Sequence, residues 1–200
     1  MKSLCFITFL LIFSLTISAQ NNKSQELFKN GFSLFQQGQY EQAILTFDDA
    51  ININPQAFDA IYYRGIAKAI LRKPLEAIFD FNAVIDRFPN MKGIEEAYQH
   101  RGVSYYFLKN HDKALADFEK AISINANYAE PYHGRANIFS DKGENEKALA
   151  DYAKAVQLKP NLAAVYIDRA ILYFSVGNFE GALEDYNKSI EMTPNVPSGY

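Results

Sequence analysis

The stretch Ala114–Ile122, ALADFEKAI, returns in varied form along the chain. ALADYAKAV stands at 148–156, ALEDYNKSI at 182–190, AIFDFNAVI at 77–85 and AILTFDDAI at 43–51. The leading alanines, Ala43, Ala77, Ala114, Ala148 and Ala182, are spaced by 34, 37, 34 and 34 residues. A fixed period of this length marks stacked structural repeats, in which one unit cannot bury its apolar face without its neighbour.

Setting Ala43 at position 20 of a 34-residue unit gives units at 24–57, 58–91, 95–128, 129–162 and 163–196, with Lys92-Gly93-Ile94 as an insert. Residues 197–200 read as the start of an incomplete sixth unit. Position 8 is Gly31, Gly65, Gly102, Ala136 and Ala170, and position 24 is Phe47, Phe81, Phe118, Tyr152 and Tyr186. Small residues at 8 and 20 let two helices approach closely, and the rings at 24 fill the space between them. Position 4 holds Leu27, Ile61, Tyr98, Tyr132 and Tyr166, and position 27 holds Ala50, Val84, Ala121, Ala155 and Ser189.

Each half of a unit has helical spacing, as at Tyr98, Gly102, Tyr105 and Leu108, then Ala114, Leu115, Phe118, Ala121 and Ile122. Gly38, Gly143 and Gly177 fall between the halves, where a helix ends in a left-handed residue. Asn110 is expected to take that place in the third unit, and Pro74 to open the second helix of the second unit. Prolines at position 32 (Pro55, Pro89, Pro160 and Pro194) are expected to stop each second helix.

These positions resemble the tetratricopeptide repeat, and the resemblance covers nearly all of the chain after its first twenty residues. It implies an all-α fold, an α-α superhelical solenoid of five helical hairpins. Tryptophan is missing from position 4, and Lys68 stands alone at position 11, where it is expected to loosen packing. Position 7 is Arg64, Arg101, Arg135 and Arg169, and position 23 is Asp80, Asp117, Asp151 and Asp185. The first unit has Asn30 and Thr46 there, so both charges are missing together. This predicts an Arg–Asp pair across each of four hairpins, worth roughly 0.2–1 kcal/mol apiece if exposed.

The first stretch is set apart from the fold. Lys2, an apolar run from Leu4 to Ile17 and small residues at Ser18-Ala19 have the layout of a secretory signal peptide, 1–19, cleaved after Ala19. The run is short for a membrane span, and retention as an anchor is the alternative. Export to a periplasm or to the extracellular space follows. Cys5 is the sole cysteine, so the mature chain has neither disulfide nor thiol nucleophile. A net charge of −3, or −4 once Lys2 is removed, argues against nucleic acid as the partner.

The resemblance places the first helices along a concave groove. Its expected lining is Phe28, Phe32 and Phe35, then Tyr62 and Ile66, Gln99, Val103 and Tyr106, His133 and Asn137, and Ile167, Ile171 and Phe174. Asp59, Glu96, Glu130 and Ser140 lie at equivalent positions. The lining is apolar and aromatic with scattered acids, which suits a neutral to basic, partly apolar protein or peptide. Phe28 and Phe32 stand where chaperone adaptors of this family carry a carboxylate clamp, so an acidic C-terminus is disfavoured.

No catalytic residue, metal or cofactor is expected. His100 and His133 lack a third ligand at metal spacing, with Glu96 or Glu130 the nearest candidates, and His111 is placed in a solvated loop. Phosphate-cradling, nucleophile-elbow and zinc-protease motifs are missing from the sequence. The leading expectation is a non-enzymatic interaction scaffold in cell-envelope assembly. Two others stay open: a docking part of a larger enzyme or sensor, and a solenoid that self-assembles through an uncapped last face.

Overall fold

The computed structural model describes residues 2–192, with side chains from Ser18 onward. The sixth-unit reading of 197–200, and the leader side chains including Cys5, lie outside these described residues. Among the described residues the structure holds α-helices and no strand: α1 Lys2–Gln36, α2 Tyr40–Ile53, α3 Phe58–Ile70, α4 Pro74–Arg87, α5 Ile94–Phe107, α6 His111–Ile124, α7 Ala129–Asp141, α8 Asn145–Leu158, α9 Ala163–Ser175 and α10 Phe179–Met192. The backbone of α1 runs unbroken from the leader into the first repeat. Among the described residues no helix is long and apolar enough to cross a membrane.

The chain divides into an N-terminal unit ending at Ala97 and a C-terminal unit beginning at Tyr98. In the first, Ala43, Phe47 and Ala50 of α2 are fully buried against Leu27, Phe28 and Leu34 of α1. In the second, Ala148, Tyr152 and Ala155 of α8 pack with Tyr132 and Ala136 of α7 and with Val165 and Leu172 of α9. The close approach of paired helices depends on missing side chains. A β-carbon added at Gly31 would lie 2.7 Å from the Phe47 ring, one at Gly65 2.9 Å from Phe81, and one at Gly102 2.8 Å from Phe118. Such distances are far inside contact, so the rings occupy the volume the glycines vacate.

The four Arg–Asp pairs form, and they are not surface pairs. Arg101 Nε donates to Asp117 Oδ2 at 2.8 Å and Nη2 to Oδ1 at 2.7 Å. Arg135 makes the same fork on Asp151 at 2.7 and 2.9 Å, and Arg169 on Asp185 at 2.7 Å twice. Arg64 grips Asp80 in the same way and reaches Asp48 as well. Every one of these position-23 aspartates is buried, so the weak surface value does not apply to them. The hydrogen bonds that Arg135 donates to Asp151 outweigh burial and hold its guanidinium above its ordinary value. Rings flank the arginines: Arg135 lies 5.6 Å from the Tyr132 ring and 5.9 Å from Phe139, and Arg169 lies 5.5 Å from Tyr166 and 5.8 Å from Tyr173.

Three expectations need correction. Lys68 does not loosen its unit, because its ammonium sits 2.8 Å from the buried Asp80 carboxylate and joins the Arg64 fork. The left-handed residue of the third unit is Lys109, at φ 58°, in register with Gly38, Arg72, Gly143 and Gly177. Asn110 instead caps α6, its side chain accepting from the Lys113 amide. Proline at position 32 is not required to end a second helix, and Pro194 lies outside the described residues. With Ala126 there, α6 still stops at Ile124, because Asn125 folds back to accept from the Asn127 amide at 3.1 Å.

Candidate functional site

In the N-terminal unit the expected lining residues gather around one ring that the repeat pattern does not flag. Phe28, Phe32 and Phe35 stand 5.9, 4.8 and 5.5 Å from Tyr63, centroid to centroid. Phe32 also stacks on Phe28 and Phe35. These rings pack one repeat onto the next, Phe28 and Phe35 half-buried among them. Tyr62 is buried, and its hydroxyl donates to Glu96 at 2.8 Å. Ile66 is half-buried.

In the C-terminal unit Gln99 is buried, and Val103 packs on the cluster of Phe118 and Ile138. The other expected residues converge with partners from α8 and α9. A cavity of about 140 Å³ is lined by Tyr106, Asn137, Ser140, Asp141, Tyr152, Asp168 and Ile171. Asp168 Oδ2 lies 2.6 Å from His133 Nε2 and accepts from Asn137 Nδ2 at 3.2 Å. The Tyr152 hydroxyl donates to Asn137 Oδ1 at 2.7 Å. Burial pushes the Tyr106 phenol up to about 12, helped by its hydrogen bond to Asp141. Burial likewise raises the Tyr152 phenol, which Ser140 touches. Both phenols therefore stay protonated at neutral pH and act as donors to their neighbours.

Beside this cavity α9 carries Ile167, Ile171 and Phe174, exposed by 41, 54 and 61 % and on one helical stripe. Phe174 meets Phe179 edge-on at 5.3 Å. Among the described residues no group of three or more metal-ligating side chains is gathered. His111 is the first residue of α6, half-buried and 5.6 Å from the Tyr106 ring, rather than in a solvated loop.

His100 is not among the residues that line this cavity. Burial pushes its imidazole down to about 4, against a smaller upward pull from Glu130. A depressed folded-state value means that the unfolded chain takes up a proton first, starting near 6.5. The stabilisation is complete above that pH and drains away as pH falls toward 4. At about 1.4 kcal/mol per unit, the loss is on the order of 2–3 kcal/mol. Urea unfolding at pH 7 and pH 4 is expected to show that loss in the natural chain and a smaller one in His100→Gln. Equal losses in both would show that His100 does not contribute.

The tetratricopeptide repeat signature matches residues 95–128 and 163–196, and a TPR repeat signature matches 31–69 and 136–177, together well over half of the chain. The chain belongs to the tetratricopeptide repeat family. It is 27 % identical over 109 residues to human tetratricopeptide repeat protein 6, covering 54 % of this chain and 20 % of that protein. Over 119 residues it is 27 % identical to the tetratricopeptide repeat protein 36 homolog of Drosophila pseudoobscura pseudoobscura, covering 58 % of this chain and 64 % of that one. The chain thus spans less than two thirds of the length of these curated relatives.

Among solved structures, the thermophilic TPR protein TTC0263 of Thermus thermophilus superposes with a TM-score of 0.74 at 24 % identity, covering 86 % of this chain and 93 % of that one. YrrB, described as a TPR protein with an unusual peptide-binding site, gives a TM-score of 0.60 at 21 % identity, over 85 % and 86 % of the two chains. These likenesses carry the fold: an all-α repeat of helical hairpins.

Asp168 and Tyr63 are the residues that the repeat pattern passes over. Both stand at position 6, which also holds Lys29, His100 and Gly134 and so shows no recurring type. The signal available was the position itself. It abuts the preceding repeat, as Tyr63 on the phenylalanines, Gly134 against the Phe118 ring and Asp168 on His133 show.

Proposed function

We propose that the C-terminal unit holds a partner peptide, neutral to basic and partly apolar, against the face that α7 and α9 share, and performs no reaction on it. The observation that carries this reading is the stripe Ile167, Ile171 and Phe174, left exposed beside a cavity that holds two carboxylates. Exposed apolar residues in a row mark contacts, and the acids select the charge of what lies there. The fold supports the reading, as does a peptide-binding site on YrrB, a neighbour of the same fold.

A random peptide library displayed on phage tests it. Selection on the chain is expected to enrich basic, partly apolar sequences that no longer bind Ile171→Ser/Phe174→Ser, a variant that leaves the buried core intact. Enrichment no better than a blank surface, or equal binding to the variant, would overturn the reading. Substituting Phe28, Phe32 or Tyr62 would test packing instead, since those rings are held against their neighbours.

In the same reading, residues 1–19 export the chain, and cell-envelope assembly is its setting. Terminal sequencing of the protein recovered from an envelope fraction is expected to start at Gln20. A start at Met1 contradicts cleavage.

A further inference from the structure

We propose that the cavity between Tyr106, Asn137, Tyr152 and Asp168 receives one lysine or arginine side chain of the partner segment; this rests on the groove reading above and specifies its anchor. The inference comes from an inventory of donors and acceptors at the cavity wall. The Tyr152 hydroxyl donates to Asn137 Oδ1, and the Asn137 amide donates to Asp168 Oδ2. His133 Nε2 faces the same Asp168 oxygen. Both of these contacts land on Oδ2, so Asp168 Oδ1 is left without a protein donor among the described residues.

The wall therefore offers acceptors and the negative charge of Asp141 and Asp168. A carboxylate or phosphate entering it would meet two aspartates and be repelled by both. An ammonium or guanidinium brings several donors, is attracted by both carboxylates, and can lie against the phenol rings. The volume of about 140 Å³ suits one such side chain and not a folded element. Ile171 lines the cavity and also belongs to the exposed apolar stripe, so a basic residue flanked by apolar ones satisfies both features at once.

Three capped tripeptides test this: acetyl-Leu-Arg-Leu-amide, its norleucine counterpart and its glutamate counterpart. Each is titrated into the chain at pH 8 and followed by amide resonances of Asn137, Ser140 and Ile171. The arginine peptide is expected to bind about tenfold more tightly than the norleucine peptide, and the glutamate peptide more weakly than either. Asp141→Asn/Asp168→Asn is expected to abolish the arginine preference and keep norleucine binding. The comparison among peptides needs no variant, so it stands even if that variant folds poorly. Equal binding of arginine and norleucine peptides overturns the anchor while leaving the groove reading in place. An arginine preference whose shifts fall elsewhere, or no shift with any peptide, overturns the anchor as well.

Discussion

Replacing Arg101 by methionine is expected to destabilise the chain by about 3–5 kcal/mol, far more than the loss of a surface ion pair. The reason is what stays behind. Asp117 is 5 % exposed, and its two oxygens are held by Arg101 Nε and Nη2. Without the guanidinium, a carboxylate remains in a site from which water is largely excluded. Removing both partners is a different matter. In Arg101→Met/Asp117→Leu neither charge is left, and much of the loss is expected to return, because a buried ion pair is worth little against well-packed apolar groups. Urea unfolding of the two single variants and the double variant measures the coupling. A double variant as unstable as the sum of the singles would show that Arg101 and Asp117 act independently.

The second large effect is at Phe118. Its ring is fully buried, with Gly102 of its own hairpin on one side and Gly134 of the next hairpin against it. Phe118→Ala is expected to cost about 3–5 kcal/mol, combining lost burial with the cavity left between two repeats. Gly134→Ala alone is expected to cost about 1–3 kcal/mol, because its methyl group would enter space the ring occupies. Together they should cost less than their sum, since the alanine at 134 then has the vacated ring volume to enter. Urea unfolding of the same three variants reads this, and additive losses would mean that the ring does not fill the gap between α6 and α7 that Gly134 leaves open.

Most of the fold was legible because a repeat is an alignment within one chain. The joint presence of arginine at position 7 and aspartate at position 23 in four units, and their joint absence as Asn30 and Thr46, read as contact before any distance was known. The glycines at position 8 facing rings at position 24 were legible for the same reason. What was lost is what does not recur. Lys109 at φ 58° was passed over because a lysine carries no left-handed signal. Tyr63 and Asp168 were passed over because position 6 changes type in every unit. The candidate site depends on that variable position. The sequence therefore indicated Tyr106, His133, Asn137 and Ile171 but not the Asp168 carboxylate that ties His133 and Asn137 together. The same blind spot made Phe28, Phe32 and Phe35 read as open lining, when Tyr63 packs against each of them.

The forked Arg–Asp clamp repeated in four hairpins is the feature on which the account most depends, and proton NMR of the arginine side chains measures it directly. Of the arginines in the chain, Arg64, Arg101, Arg135 and Arg169 each place Nε on a buried aspartate oxygen. Their four Nε–H signals are expected to be sharp and slow to exchange with water at neutral pH, and each to be lost on changing its own aspartate to alanine. Four averaged signals that exchange as fast as a solvated guanidinium would contradict the clamp, and with it the account of how those four hairpins join their two helices.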